Sequence, residues 1–248
     1  NSCGYAVVVV QLGLFFFLQA EDGIRVSVAS RGLGDVCKRQ LASRASRGAA
    51  VKYGGGGSAA TTSTGAKVYA SFPFDSGLGT TGWASWKFSE SLNRDSGAVA
   101  FIWQVPPTTD SLAAFNGPNF SLTSNIDTLV SKVNATNATY TENALSFMVA
   151  PTADHLYGLK TRGATMMVYH GTADPIFSSD DSTAWYETLG RAHAGGAHDF
   201  ARFYRVPGLN HCSGGPATDQ FDMLTSLVNW VEKGEAPDRV IASARGAG

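Results

Sequence analysis

The sequence predicts an α/β fold in which helices cover a parallel sheet. From residue 160 onward, two short apolar runs typical of buried strands alternate with two segments of helical periodicity. Strand, helix, strand, helix at this spacing is the pattern of parallel strands joined by a helical crossover. The length of 248 residues suits one α/β domain or two small ones. Hydrophobic residues make up 44% of the chain, which is enough to form a core.

The first strand and its following helix are marked by composition. The run 166–169 is apolar and ends at His170-Gly171, as a buried parallel strand would. A serine at 178–179 can cap the next helix, whose first turn holds Asp180 and Asp181 near the positive end of the helix dipole. This helix is expected to run to about residue 189.

The second strand and the last helix follow the same logic. Residues 200–206 alternate in polarity and close at Pro207-Gly208. Thr218 or Asp219 is expected to cap a final helix that ends near Gly234. The apolar residues expected to share one face of that helix are Phe221, Leu224, Leu227, Val228 and Val231.

Composition divides the rest of the chain. Residues 41–66 are rich in Gly, Ala, Ser and Thr and are predicted to be a low-complexity linker. Residues 67–150 are dense in aromatic side chains, with short helices predicted at 127–133 and 141–149. Residues 151–248 hold the strands and helices described above. The net charge is −1 and the basic residues are scattered, so neither nucleic acid nor an anionic membrane is favoured as a partner.

The first forty residues stand apart. The apolar run at 5–18 could be a signal-peptide core or a buried strand or helix, although no Lys or Arg precedes it. The stretches 19–25 and 30–40 resemble a translated sequencing adapter of the kind found in metagenomic assemblies. We therefore interpret residues 1–40 as a non-native, adapter-like segment and expect it to pack poorly against the rest.

Two chemically capable side chains follow the two predicted strands. Asp174 comes after the first strand and His211 after the second. Loops at the carboxyl edge of a parallel sheet converge, so we expect these side chains to lie within hydrogen-bond reach. An acid that binds one imidazole nitrogen fixes the tautomer and makes the other nitrogen a base. Acid, then histidine, is the end of the Ser…Asp…His order of α/β-hydrolases.

The motifs around both residues are more specific. Residues 170–175 read HGTADP and residues 207–215 read PGLNHCSGG. They resemble the acid motif and the histidine motif of the tannase and feruloyl esterase family, and residues 228–238 resemble that family's last helix and tail. The likeness is strong over 160–243 and perceptible over 68–147, which by analogy is the end of a lid domain. The chain is thus predicted to hold the C-terminal part of an α/β-hydrolase fold plus the remnant of a lid.

The resemblance implies a function. The family consists of serine carboxylic ester hydrolases that act on small aromatic esters, feruloyl or galloyl. His211 would be the catalytic base and Asp174 the acid that orients it. No cofactor is needed for catalysis, and the structural calcium of the family's lid has no visible acidic loop in this sequence. Secretion or periplasmic export is implied, whereas the oligomeric state is not.

The resemblance also implies a disulfide between Cys212 and a Cys immediately before the nucleophilic Ser. No Cys-Ser pair precedes Asp174, so we expect a fragment without the nucleophile, inactive by itself, in which Cys212 is a free thiol. The three cysteines, Cys3, Cys37 and Cys212, form no closed disulfide framework by counting alone.

Two serines imitate a nucleophile. Ser58 lies in the sequence GGSAA, which loosely matches the nucleophile elbow, but no convincing strand precedes it. Ser213 lies two positions after His211, whereas an elbow precedes the acid and the base in α/β-hydrolases.

Two other functions remain open. His170, Asp174, His211 and Cys212 are permissible zinc ligands, although no CxxC, HxH or HExxH spacing supports a metal site. The second alternative is a non-catalytic binding domain. Without a metal, His170 is interpreted as a structural residue at a strand end. The remaining histidines, His155, His193 and His198, are predicted to face solvent.

Overall fold

The structure is a computed structural model. It describes residues 62–66, 68, 72–73, 77, 80, 83, 89, 91–144, 146, 155–175, 177–211 and 213–245, together with the backbone of three strands nearer the N-terminus. The strands are β1 (Ala6–Val10), β2 (Leu14–Leu18), β3 (Arg25–Ser27), β4 (Thr165–Gly171), β5 (Ala201–Val206), β6 (Gln220–Phe221) and β7 (Ala242–Ser243). The helices are α1 (Ser91–Asn93), α2 (Asp95–Phe101), α3 (Gly117–Thr123), α4 (Ile126–Val133), α5 (Tyr157–Thr161), α6 (Ser179–Ala192) and α7 (Met223–Lys233), with a 3₁₀ turn at Gly196–Asp199.

Strands β4 and β5 form the parallel pair that the sequence predicts. They are neighbours in a sheet of order β3-β2-β1-β4-β5, in register from Met166 opposite Ala201 to Gly171 opposite Val206. Helix α6 makes the crossover between them. Because the strands are parallel, their carboxyl ends meet at one edge of the sheet, and the loops that follow both strands start there. The predicted mixed α/β class is confirmed.

The N-terminal strands join the same sheet through β1. Its backbone pairs in parallel with β4, and β2 and β3 continue the sheet in antiparallel fashion. We expected residues 1–40 to pack poorly, but this pairing places part of that segment in the sheet. The unpaired N–H and C=O groups at the edge of a strand can bind another extended segment, whatever the origin of that segment. The side chains of residues 1–40 lie outside the described residues, and their adapter-like origin stays a prediction.

Strand β4 is buried on both faces, which explains its continuous apolar sequence. Met166 and Val168 pack with Leu189 of α6 on one face. Met167 packs on the other face, against a cluster from α7 that consists of Met223, Leu227 and Trp230. The helices on both faces therefore hold the strand that leads to the candidate acid.

Helix α6 begins where the sequence predicts. The Ser178 hydroxyl accepts a hydrogen bond from the backbone N–H of Asp180 at 3.2 Å, which satisfies one of the helix's open donors. The helix runs to Ala192, three residues beyond the predicted end. Its last turn closes on Gly195, whose φ of 88° suits glycine and whose N–H donates to the carbonyl of Gly190.

Helix α7 begins later than predicted. Its N-cap is Asp222, which accepts from the N–H of Thr225 at 2.9 Å, and not Thr218 or Asp219. The predicted apolar face was also partly wrong. Leu227 is fully buried, but Leu224 and Val228 are exposed. The buried residues of α7 are Met223, Leu227 and Trp230, which follow the 3.6-residue period of the helix and pack with Met167. Phe221 belongs to β6 and not to the helix.

The middle of the chain forms a separate apolar cluster. Val99 and Trp103, from α2 and its end, pack against Leu129 and Val133 of α4, with Phe72 added from the preceding segment. Helix α4 starts one residue before the predicted 127–133. Most of the helix predicted at 141–149 lies outside the described residues, and the proposed domain boundaries stay predictions. No helix within the described ranges has the length and apolar character needed to cross a membrane.

Candidate active site

Asp174 lies in a tight turn just after β4 and is almost completely buried. Its backbone N–H donates to the carbonyl of Gly171 at 3.3 Å. Its side-chain Oδ1 accepts the backbone N–H of Phe177 at 3.0 Å. This second bond is the local turn that an Asp before Pro175 favours. Oδ1 of Asp174 thus holds this turn, and Oδ2 contacts histidine side chains.

His211 lies in the loop after β5. Leu209 is fully buried and anchors this loop, and its carbonyl accepts the N–H of Ala173 at 3.1 Å. A Cβ added at Gly171 would overlap that same carbonyl oxygen, so glycine is required where β4 ends. The two loops are therefore joined backbone to backbone, and their side chains are positioned together.

The two predicted residues meet in the structure. Nδ1 of His211 lies 3.0 Å from Oδ2 of Asp174, within the hydrogen-bond reach that the sequence predicts. The Asp174 side chain is inaccessible to solvent, and that of His211 is 14% exposed. The ring of Phe177 lies 5.5 Å from the His211 ring and covers part of it. A buried acid that orients a slightly exposed imidazole is the geometry of a general base with its orienting acid.

Electrostatics keep the acid ionised. Burial by itself would raise the pKa of Asp174, but hydrogen bonds from His170 and His211 and the charges on these rings lower it. The hydrogen bonds and charges prevail, so the pKa lies well below that of an ordinary aspartate. An ionised Asp174 can only accept hydrogen bonds, which places a proton on Nδ1 of His211. The nitrogen suited to act as a base is then Nε2.

His170 also reaches this carboxylate. Its Nε2 lies 3.3 Å from Oδ2 of Asp174, and its Nδ1 lies 2.8 Å from the Ser182 hydroxyl of α6. The sequence interpretation of His170 as merely structural missed this contact. No local signal indicated this contact, because it depends on how the loop after β4 folds back toward the strand.

A second aspartate fixes the loop that carries His211. Oδ2 of Asp219 accepts the N–H of Gly214 at 2.9 Å and Nε of Arg245 at 2.8 Å. Hydrogen bonds from Gly214 and Gln220 and the charge of Arg245 lower the pKa of Asp219. Strand β6, which follows directly, pairs with β7. Asp219 was one of two residues, with Thr218, expected to cap the last helix, but it links the loop of His211 to Arg245 instead.

The other candidate residues lie in different surroundings. Cys212, Ser58, Cys3 and Cys37 lie outside the described residues, so the predictions made for them stay predictions. Ser213 is exposed. Of the histidines predicted to face solvent, His198 does. His155 and His193 are half-buried instead, because both rings pack on Tyr157. Within the described ranges, no three His, Cys, Asp or Glu side chains are grouped to hold a metal ion.

The lowered pKa of Asp174 predicts an acid-dependent stability. A group with a folded-state pKa below its unfolded value stabilises the fold above the unfolded value, about 3.9 for Asp, and loses this contribution as the pH falls further. Asp174→Asn should therefore lower the free energy of unfolding most at about pH 6, and this loss should shrink progressively as the pH falls below about 4 toward the lowered pKa of Asp174. Urea unfolding at a series of pH values from about 6 to about 2 measures the change. The exposed Asp199→Asn is the control; a pH-independent effect of Asp174→Asn would contradict the prediction.

Comparisons with known proteins show what this chain is similar to. The sequence model of the family described as tannase and feruloyl esterase matches residues 42–247. The chain is 41% identical over 197 residues to a mono(2-hydroxyethyl) terephthalate hydrolase of Piscinibacter sakaiensis, a match that covers 73% of this chain and 32% of that protein. It is 31% identical over 111 residues to feruloyl esterase C of Talaromyces stipitatus, over 38% of this chain and 21% of that protein.

A solved structure shares the fold. The chain superposes on an esterase from Aspergillus oryzae with a TM-score of 0.52 and 19% identity, covering 75% of this chain and 38% of that one. This likeness supports the α/β-hydrolase type of fold. The chain spans about a third of the length of the first relative named above and about a fifth of the second.

Proposed function

We propose, from the premise that this chain belongs to the tannase and feruloyl esterase family, that it carries the acid and the base of a serine carboxylic ester hydrolase. The observation that carries the proposal is the 3.0 Å hydrogen bond between His211 and the buried Asp174, at the carboxyl ends of neighbouring parallel strands. The relatives named above are ester hydrolases by name, which supports the same chemistry here.

In the proposed mechanism His211 accepts a proton and then donates it once in each half of the reaction. Nε2 takes the proton of a serine hydroxyl as the oxygen attacks the ester carbonyl, and the imidazolium then protonates the departing alcohol. Water hydrolyses the acyl-enzyme by the same sequence of proton transfers. Asp174 stays ionised throughout, holds the ring in the required tautomer and stabilises its positive charge.

The nucleophile and the oxyanion donors complete the site in this proposal. The family resemblance places the serine after a cysteine upstream of Asp174, and no Cys-Ser pair occurs there in this sequence. Backbone N–H groups would stabilise the oxyanion, at least one of them from that same upstream region. The 248 residues are therefore proposed to be the acid and base part of a larger active site. No cofactor is proposed for catalysis.

The substrate class follows from what the relatives have in common. Feruloyl esters and mono(2-hydroxyethyl) terephthalate, named in the relatives' descriptions, are both esters of an aromatic acid. The ring of Phe177 offers an apolar surface beside the proposed base, which supports a substrate with an aromatic acyl group. We propose small esters of aromatic acids, feruloyl and galloyl included, as substrates. We further propose secretion or periplasmic export, on the basis of the family's disulfide.

A chimera tests the proposed function. The part of the Piscinibacter sakaiensis hydrolase that precedes the matched region is fused to residues 42–248, where the family match begins. We expect the chimera to hydrolyse methyl ferulate, methyl gallate or mono(2-hydroxyethyl) terephthalate and to react with a serine-directed phosphonate. The 248-residue chain by itself should do neither, because a base without a nucleophile gives little rate enhancement.

Two outcomes would contradict the proposal. A folded chimera that hydrolyses none of these esters would refute the assignment of acid and base. Activity in the 248-residue chain by itself that disappears with Ser58→Ala would make Ser58 the nucleophile and refute the need for an upstream part.

A further inference from the structure

His170 occupies a buried position that the proposed mechanism leaves unused. It is the last residue but one of β4, and its side chain points to the face covered by α6. Only 4% of the residue is accessible. Its Nδ1 contacts the hydroxyl of Ser182 at 2.8 Å. Its Nε2 faces two oxygens, the carbonyl of Phe177 at 3.1 Å and Oδ2 of Asp174 at 3.3 Å.

These partners determine where the ring carries its proton. A backbone carbonyl and an ionised carboxylate can only accept hydrogen bonds, so Nε2 of His170 must be the donor. In the neutral ring, Nδ1 accepts from the Ser182 hydroxyl. In the charged ring, Nδ1 donates to it. The Nε2–H is directed at Phe177 and Asp174 in both states, and the contact with the acid does not depend on the charge of His170.

Oδ2 of Asp174 therefore receives N–H groups from two imidazoles. The His211 bond measures 3.0 Å and the His170 contact 3.3 Å. Oδ1 is engaged separately by the N–H of Phe177. The carboxylate thus stays fixed by Phe177 if either ring is removed, and the rings compete for the charge on one oxygen.

We propose that His170 is a positioning residue that shares the Asp174 carboxylate with His211 and so limits how strongly the acid stabilises protonated His211. Its catalytic meaning rests on the proposed function. A base held too firmly in its charged form is unavailable to accept the serine proton at neutral pH, because general bases work best when they titrate near the operating pH. By taking part of the hydrogen-bonding capacity of Oδ2, His170 would keep His211 neutral over a wider pH range.

Other charges near His170 must be kept constant in a test. Asp180 and Asp181 lie in the first turn of α6, directly before Ser182 in the sequence. Arg205 is opposite His170 in the β4–β5 register and pairs with Asp180 at 3.2 Å. Burial raises the pKa of Asp180, and the charges of Arg205 and His170 act against that rise. These groups are unchanged in each variant below.

The experiment follows His211 by NMR in the full chain with labelled histidine rings. In His170→Leu the acid is no longer shared, and the pKa of His211 should rise by about half a unit or more. In His170→Gln an amide N–H can replace the Nε2–H of the imidazole, and the pKa of His211 should return close to the wild-type value. His198→Gln, an exposed histidine on the same chain, should change nothing.

The direction in which the pKa of His211 changes distinguishes a shared Asp174 carboxylate from a purely structural role of His170. An unchanged midpoint in His170→Leu, or a fall in both the Leu and the Gln variants, would overturn the proposal. If His170→Leu does not fold, Ser182→Ala replaces it. That variant removes only the Nδ1 partner, loosens the ring, and should raise the midpoint by a smaller amount; no rise would overturn the proposal. The pKa of His211 is measured without substrate turnover. An inactive chimera would therefore refute the proposed function without affecting the result for His170.

Discussion

Replacing His211 with alanine in an active chimera is expected to lower kcat by roughly 10⁴- to 10⁶-fold. The reason lies in the geometry of the site. Within the described part of the chain, Asp174 orients the ring of His211 through a 3.0 Å hydrogen bond. In the proposed mechanism this ring takes the proton of the serine and then gives it to the leaving alcohol. KM should change little, because the imidazole acts mainly in the transition state. Steady-state kinetics with methyl ferulate measures both constants.

The matched control for this variant is Ser213→Ala. Ser213 is exposed and lies two positions from His211, in the same loop, so it reports on any general disturbance of that loop. Its activity should equal that of the unmodified chimera. A chimera that keeps its turnover with His211→Ala would show that another group is the base.

Asp174→Asn in the chimera should lower kcat by about 10⁴-fold. The amide keeps the volume of the carboxylate but can present an N–H where Oδ2 accepts the Nδ1 proton of His211. The imidazole then favours the tautomer with its proton on Nε2 and cannot accept one from the serine. The positive charge formed on the ring also loses its buried counter-charge.

The exposed Asp199→Asn is the matched control and should leave turnover unchanged. The pH dependence of kcat/KM gives a further check. If Asp174 only held the loop through Phe177, its amide variant would keep that bond through Oδ1 and lose little activity, which would contradict the assigned role.

The sequence located the parallel strands and the crossover helix because their signals are local. The apolar run ending at His170 and the cap at Ser178 each determine structure within a few residues. The start of α7 was predicted too early because Thr218, Asp219 and Asp222 are all plausible caps. Tertiary contacts decided among them: the Asp219 side chain is occupied by Gly214 and Arg245.

The site was predictable in part for a related reason. Asp174 and His211 each follow a strand, and parallel topology brings strand ends together, so their meeting could be inferred without coordinates. The role of His170 could not. Which face of β4 it occupies, and what α6 presents there, depend on packing between segments far apart in the sequence. A histidine at a strand end carries no signal for a contact with Ser182, twelve residues later.

The tie between Asp219 and Arg245 has a practical consequence for anyone who produces this protein. The salt bridge and the β6–β7 pair use the last residues that the structure describes to hold the loop of His211. A purification tag or surface tether attached directly after this segment would pull on the position of His211. A fusion partner at this end should therefore be joined through a flexible Gly/Ser spacer, so that it exerts no force on the salt bridge between Asp219 and Arg245.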